Sequence, residues 1–257
     1  MQLPSIVRRT FDPVTERIPV PIIGGQNAGR WWGLASAGSG YASGRRAAKQ
    51  MDLLAALIRS GDVVWDVGAH HGYVSLMAER RVGANGAVYA FEPSAANHRI
   101  LTRHLRWNRC ANTSAHAIAL GRSECEMRFG GGLTSKMHAL GQGEETVQVR
   151  RADWMLANGP CRLPTFLKVD VEGAEGEFLE GCGTMLPPNA RLVIAVHSAD
   201  ANRTCEAWVA AHDFTAIPSN ELVEARAAAH TGRWRGDPDL YLVGPAGDVA
   251  AVRQLLA

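Results

Sequence analysis

The sequence lacks long apolar runs, an excess of either charge and any cysteine pairing motif. No segment reaches the roughly 18 uninterrupted apolar residues of a membrane span, and 27 basic against 25 acidic residues give a net charge of only +2. This balance argues against a nucleic-acid-binding surface. The five cysteines form no CxxC pair, which favours reduced thiols over a structural metal site. We therefore expect a soluble globular protein with neither a membrane nor a nucleic-acid partner.

The N-terminal sequence "MQLPSIVRRTFDP" has charges too early and an apolar run too short for a signal peptide. We accordingly expect a cytoplasmic location. With 257 residues and 46% hydrophobic content, the chain can bury one large core.

Strand-like and helix-like segments alternate from about Asp62 to the C-terminus. A helix is predicted from about Ser94 to Asn108. Such alternation is typical of a mainly parallel sheet with helices on both faces. After the first strand at Val63, the predicted strands are Ala87–Phe91, Ala115–Ala119, Phe166–Val171, Arg191–Val196, Phe214–Ile217 and Asp239–Val243.

Three segments do not follow this alternation. They are residues 1 to about 50, with "GRWWGLASAGSGYASGRR", the stretch "RFGGGLTSKMHALGQGEE" between Arg128 and Glu145, and Ser219 to Asp237. Long inserts at the carboxyl edge of an α/β sheet often shape the pocket of a second substrate, although solvated loops are the simpler alternative. The third segment carries Arg226, Arg233, Trp234 and Arg235.

The stretch "VVWDVGAHHGYVSLMAER" reads as a buried strand, a glycine-containing loop and a helix. Glycines after a strand let the backbone approach a ligand, and the following helix presents free N–H groups. Glu92 lies 20 residues beyond Gly72, where Rossmann-type sheets place a carboxylate for ribose hydroxyls. The predicted ligand contacts are Glu92 with Asp66, Gly68, Ala69, His70, His71, Gly72 and Tyr73.

The spacing inside this loop indicates which ribose-containing ligand binds. Dinucleotide sites use G-x-G-x-x-G, but here three residues separate Gly68 from Gly72. The remaining pattern is D-x-G-x-x-x-G, with Asp66 at the strand end. A carboxylate there suits a ligand that has an ammonium group and a ribose but no phosphate. We therefore predict S-adenosylmethionine, with a nicotinamide enzyme or a noncatalytic binding module as alternatives.

Four segments, "DVGAHHGYVSL", "VYAFEPSAANHRIL", "AIALG" and "FLKVDVEGAEGEFLEG", together resemble the FkbM-type family of S-adenosylmethionine-dependent methyltransferases. Many members methylate hydroxyls of sugars and polyketides. The resemblance covers about Gly61 to the C-terminus. It implies a Rossmann-like class I methyltransferase fold with a mostly parallel seven-stranded sheet, an N-terminal cap over residues 1–50 and a methyltransferase domain over residues 51–257. It also implies cofactor contacts from Pro93, Ala119 and Asp170.

The chain departs from the family pattern at two positions. His70 stands where members commonly have asparagine, and the strand that often ends in E-x-H reads Ala195-Val196-His197 here.

Methyl transfer to an alcohol requires an aligned acceptor oxygen and a group that takes its proton. Lys168, Asp170 and Glu172 alternate along the fourth strand and its exit, so their side chains point to one side. His197 ends a neighbouring strand. We predict His197 as the base, assisted by Asp170, with Glu172 and Lys168 in the catalytic group. The alternatives are a Lys168–Asp170 ion pair and a structural histidine.

A divalent metal held by Asp170, Glu172 and His197 is a further alternative. The spacing of these residues along the chain matches no known metal-ligand motif, so no metal is expected. The predicted acceptor is a small molecule with a glycosidic or polyketide hydroxyl. Transfer to nitrogen, which needs no strong base, is the alternative reaction. Trp31, Trp32 and Tyr41 are expected to line or cover the acceptor.

Overall fold

The computed structural model describes residues 15–38, 40–130, 139–141, 143–229 and 238–256. Predicted features at Arg233, Trp234 and Arg235 lie outside these residues, as does the side chain of Arg226. In the described part, no helix combines the length and apolar character needed to cross a bilayer.

The strands are β1 (Pro19–Pro21), β2 (Trp31–Gly33), β3 (Val63–Val67), β4 (Ala87–Phe91), β5 (Thr113–His116), β6 (Ala119–Leu120), β7 (Cys125–Gly130), β8 (Ala139–Leu140), β9 (Glu145–Arg150), β10 (Phe166–Val169), β11 (Arg191–Ala195), β12 (Thr215–Pro218) and β13 (Asp239–Val243). The helices are α1 (Ala48–Leu57), α2 (Tyr73–Val82), α3 (Ala95–Trp107), α4 (Ala152–Asn158), α5 (Glu175–Cys182), α6 (Ala199–Ala211), α7 (Asn220–Ala229) and α8 (Val249–Leu256).

The predicted Rossmann-like α/β fold is confirmed. Seven strands form one sheet in the order β12-β13-β11-β10-β3-β4-β5, in which only β13 runs antiparallel to its neighbours. Strands β3, β10 and β11 are buried along their whole length because helices cover both faces. A buried ion pair between Arg191 and Asp62, with Nη2 2.7 Å from Oδ1, lies at the amino end of this sheet.

The centre of the sheet brings the predicted site residues to one edge. Strand β10 lies between β3 and β11, with Lys168 opposite Asp66 on one side and Val193 on the other. Loops that carry Gly68, Asp170 and His197 therefore leave adjacent strands at their carboxyl ends. This is the edge at which open α/β sheets bind ligands.

A second sheet, which the strand pattern did not predict, has the order β6-β9-β7-β8. The expected strand at Ala115–Ala119 divides into β5 and β6, and β6 pairs with β9 rather than with the main sheet. Phe129, Val147 and Val149 pack together in a small separate core. The segment between Arg128 and Glu145 is thus partly sheet, and the alternation of "ETVQVR" was an available signal for it.

Part of the N-terminal segment packs into the core beside the main sheet. Trp32 is fully buried and stacks on His104 of α3, with ring centroids 3.9 Å apart. The N–H of Gly33 donates to His104 Nε2, and His104 Nδ1 donates to the carbonyl of His71. Burial lowers the pKa of His104 to about 4, so the ring stays neutral. The predicted boundary between residues 50 and 51 falls inside α1.

The third irregular segment also contains regular structure. Helix α7 covers Asn220–Ala229, where the sequence pattern predicted an insert without regular elements. All five cysteines are free thiols, and three of them are buried.

Candidate active site

A cavity of about 380 Å³ opens at the carboxyl edge of the main sheet. This volume falls within the range of small-molecule sites, which is roughly 300 to 1,000 Å³. Its wall joins the end of β4 to the exit of β10. The predicted site residues on this wall are Gly68, His70, Glu92, Pro93, Ala119, Asp170 and Glu172.

Glu92 forms a buried carboxylate at the end of β4. Oε2 accepts from the N–H of His70 at 2.7 Å, while Oε1 accepts from the N–H of Ser94 at 3.0 Å and from Asn97 Nδ2 at 3.3 Å. Burial raises the pKa of Glu92 to about 7 and outweighs these hydrogen bonds. The carboxylate is therefore held rigidly on the wall and changes charge near neutral pH.

The loop after β3 places its backbone directly against the cavity. Gly68 has a φ of 81°, and a Cβ at this position would collide with the carbonyl oxygen of Asp170. His70 also has a positive φ, 50°, and its ring stacks on that of His71 with centroids 3.9 Å apart. The close approach of two strand exits explains the requirement for glycine at position 68.

Asp66 is buried and is not among the residues that line the cavity. Ser75 Oγ in the first turn of α2 donates to Asp66 Oδ2 at 2.5 Å. Burial raises the pKa of Asp66 to about 6. Ala69, His71, Gly72 and Tyr73 are likewise off the wall, and His71 Nε2 lies 3.2 Å from Asn97 Oδ1.

Asp170 lies just beyond β10 with a charged partner on each side. One oxygen, Oδ2, is 3.3 Å from the buried Lys168 Nζ, and the other, Oδ1, is 3.3 Å from His197 Nε2. Burial would raise the pKa of Asp170, but Lys168 and His197 hold it well below its ordinary value. Lys168 thus pairs with Asp170 behind the wall, as the ion-pair alternative predicted.

His197 is enclosed by three carboxylates. Nδ1 lies 2.6 Å from Oε1 of the fully buried Glu175, and Nε2 faces Asp170 at 3.3 Å and Glu172 Oε2 at 3.6 Å. Burial lowers the pKa of His197, but the hydrogen bonds to Asp170 and Glu175 outweigh it and raise the pKa to about 10. An imidazole that is already protonated at neutral pH is a poor proton acceptor. We call Asp170, Glu172 and His197 the carboxylate–histidine cluster.

Several cavity residues were not predicted from the sequence. Arg46 and Gln50 reach the wall from the start of α1, and Phe129 and Leu140 reach it from the second sheet. Of the three aromatic residues predicted to line the acceptor pocket, Tyr41 does so. Trp31 and Trp32 are absent from this wall: Trp32 is in the core, and the N–H of Trp31 donates to Asn108 Oδ1.

The cavity wall carries two groups of polar residues. Glu92 and the loop backbone at Gly68 and His70 form the first, which we call the first end of the cavity. Asp170 and Glu172 of the carboxylate–histidine cluster form the second, which we call the acceptor end.

Comparison with known proteins identifies the relatives of this chain. The family described as the methyltransferase FkbM domain matches residues 66–214, more than half of the sequence. A curated protein from Streptomyces tacrolimicus, 31-O-demethyl-FK506 methyltransferase FkbM, is 28% identical, with 67% of this chain and 80% of that protein covered.

Solved structures agree on the fold. A methyltransferase FkbM from Methylobacillus flagellatus KT has a TM-score of 0.51 and 19% identity over 70% of this chain, which spans only 43% of that structure. A precorrin-6y C5,15-methyltransferase from Geobacter metallireducens GS-15 has a TM-score of 0.50 and 13% identity, with 83% and 94% of the two chains covered.

Proposed function

Because this chain belongs to the FkbM methyltransferase family and is an S-adenosylmethionine-dependent methyltransferase, we propose that it methylates a hydroxyl of a sugar or another natural-product-type small molecule. One observation carries the proposal: a single cavity wall joins Glu92 to Asp170 and Glu172. A bound cofactor and an acceptor oxygen would thus share one enclosed space.

The residues at the first end of the cavity fit S-adenosylmethionine. Glu92 offers a rigid carboxylate on the wall, which suits the two hydroxyls of a ribose. Gly68 and His70 bring loop backbone to the same wall. The cofactor, when bound, supplies an activated methyl group on a sulfonium. Asp66 contributes by fixing α2 through Ser75 rather than by facing the ligand.

At the other end, the carboxylate–histidine cluster would bind the acceptor. Asp170 and Glu172 accept a hydrogen bond from the acceptor hydroxyl and so direct its oxygen toward the methyl group. As the new oxygen–carbon bond forms and the carbon–sulfur bond breaks, the hydroxyl proton leaves through this cluster. His197, with carboxylates at both ring nitrogens, positions Asp170 and Glu172 rather than acting as the first base.

The acidic acceptor end favours transfer to oxygen over transfer to an amine, because the lone pair of a neutral amine attacks the methyl group without prior loss of a proton. The Streptomyces relative, named for transfer to 31-O-demethyl-FK506, supports an acceptor of the natural-product class. A near-neutral charge still predicts a small molecule rather than nucleic acid.

The test is methyl transfer from radiolabelled S-adenosylmethionine to a panel of glycosides, polyketide alcohols, amines and a short RNA. Labelled ether products with glycosides or polyketide alcohols are expected. Label only in the amines would support the N-methyl alternative, and label only in the RNA would contradict a small-molecule acceptor. A reaction without the protein is the blank for every acceptor.

Replacement of Glu92 by alanine should weaken S-adenosylhomocysteine binding at least tenfold, because a lost hydrogen bond to a charged group costs about 1.5 to 3 kcal/mol. Isothermal titration calorimetry at pH 8 measures the effect. The exposed Glu124→Ala variant removes one carboxylate elsewhere and should bind as the parent does. Equal affinity of the Glu92 variant and the parent would show that Glu92 does not contact the cofactor.

The same site should lose affinity as pH falls. The pKa of Glu92 is raised to about 7, so below pH 7 the side chain is mostly protonated. A protonated carboxyl group accepts hydrogen bonds from ribose hydroxyls less well than a carboxylate does. Between pH 8 and pH 6 the ionised fraction of Glu92 falls, and the apparent affinity should fall by about tenfold. In Glu92→Gln this pH dependence should disappear. An unchanged profile in that variant would assign the pH effect to another group.

A further inference from the structure

Ligand-type atoms from three side chains converge beside the cavity. One such atom each from Asp170, Glu172 and His197 lies within 4.8 Å of the other two. His197 Nε2 is 3.3 Å from Asp170 Oδ1 and 3.6 Å from Glu172 Oε2. Oxygen and nitrogen ligands bind divalent ions at about 2.0 to 2.2 Å, so two ligands of one ion lie roughly 3 to 4.3 Å apart. The separations of His197 Nε2 from Asp170 Oδ1 and from Glu172 Oε2 fall within this range.

The neighbouring residues orient these atoms in the manner of a metal site. A carboxylate only accepts, so the 2.6 Å contact with Glu175 places one proton on His197 Nδ1. The second proton of the imidazolium is on Nε2, which faces Asp170 and Glu172, and a bound metal ion would take its place. Metal-bound histidines usually donate their second N–H to a carboxylate in this way. Glu175 is fully buried, and its Oε2 has no hydrogen-bond partner in the described residues. Lys168 contacts Asp170 Oδ2, which leaves Oδ1 facing the histidine.

We propose that Asp170, Glu172 and His197 bind a divalent metal ion at the acceptor end of the cavity. Two carboxylates and one imidazole form a mixed set that suits Mn²⁺ and similar ions. Asp170 and Glu172 line the cavity, so the open coordination positions face the acceptor. This assignment differs from the sequence-based expectation, because the spacing of these residues along the chain resembles no metal motif and only the fold brings β10 and β11 together.

The role of the metal, though not its binding, rests on the proposed function. An acceptor hydroxyl that coordinated the ion would become more acidic and would lose its proton more readily through the carboxylate–histidine cluster as the ether bond forms. An acceptor with two adjacent oxygens would occupy two open positions and be held more tightly than a single alcohol. The substrate class inferred from the metal is therefore a vicinal diol or a hydroxyl beside a carbonyl.

The binding test uses the full chain, stripped with EDTA and titrated with Mn²⁺ alone, with free ion measured by electron paramagnetic resonance. One site is expected, weakened at least tenfold in Glu172→Gln and in His197→Gln. The matched control is Glu180→Gln on α5, an exposed glutamate with the same change of charge. No saturable site in the parent, or equal weakening in the control, would overturn the proposal.

Glu175→Gln tests the positioning role of the buried carboxylate. The Mn²⁺ affinity should fall by about 10- to 100-fold although the variant keeps all three ligands. An unchanged affinity with a native circular dichroism spectrum would overturn this role of Glu175.

Single-turnover methylation then separates the metal proposal from the proposed function. Loss of transfer in EDTA and recovery with Mn²⁺ supports the role. Full transfer in EDTA overturns the role while the proposed function stands. If no acceptor is methylated with Mn²⁺ bound, the proposed function is contradicted. The electron paramagnetic resonance titration tests the metal site independently of that result.

Discussion

Asp170→Asn should lower single-turnover methylation by about 10² to 10⁴, the range for loss of a group that positions or deprotonates the reacting atom. Among the described residues, Asp170 is the one that contacts both Lys168 and His197 and also lines the cavity. Its loss therefore removes a carboxylate from the acceptor and rearranges the cluster. Rapid-quench assays with labelled cofactor measure the rate.

Two comparisons distinguish a loss of activity in Asp170→Asn from a loss of folding. Asp200→Asn makes the same change at a side chain that is 81% exposed and should keep the parent rate. Glu172→Gln leaves the Lys168–Asp170 ion pair intact, so its stability should match the parent while its rate falls. A parental rate in both Asp170→Asn and Glu172→Gln would show that neither carboxylate takes part in methyl transfer.

Gly68→Ala should destabilise the fold by about 3 kcal/mol or more and abolish cofactor binding. Two costs combine: strain of about 1 to 2 kcal/mol for an L side chain at φ 81° and a collision with the carbonyl of Asp170 that requires the backbone to move, of about 1 to 3 kcal/mol. Urea unfolding followed by circular dichroism measures the free energy of unfolding.

Gly61→Ala is the matched control for this change. Gly61 has a similar φ of 86°, but no atom of the described residues lies within 4 Å of an added Cβ. Its cost should be limited to about 1 to 2 kcal/mol of backbone strain, with cofactor affinity unchanged. Equal free energies of unfolding for the two variants would mean that the loop relaxes around the methyl group added at Gly68 without moving Asp170.

The sequence predicted the main sheet because buried strands and amphipathic helices produce distinct patterns of apolar residues. It also located Glu92 and Asp170, because each directly follows a buried strand. The second sheet was missed because two of its four strands, β6 and β8, span only two residues each, and its core around Phe129, Val147 and Val149 is small. Its contribution to the cavity, Phe129 and Leu140, was missed with it.

Sequence patterns do not reveal how individual side chains are oriented at the site. Asp66 and Glu92 both lie at strand ends, yet Asp66 bonds to Ser75 behind the loop while Glu92 lies on the wall. For Trp32, aromatic character alone could not distinguish a substrate platform from a core residue, since the difference depends on His104, 72 positions later. Sequence alone also missed that Glu175 completes the surroundings of His197, because no local pattern links them.

The N-terminal segment has a consequence for synthesis of the protein. Trp32, Gly33 and Trp31 leave the ribosome early, yet their partners His104 and Asn108 on and after α3 follow more than seventy residues later. During that interval the indole of Trp32 has no native site and remains available to chaperones or to other nascent chains. Closure of so long a loop is slow compared with local helix formation. The segment is therefore made before the strands and helices that receive it and is buried only after they have been translated.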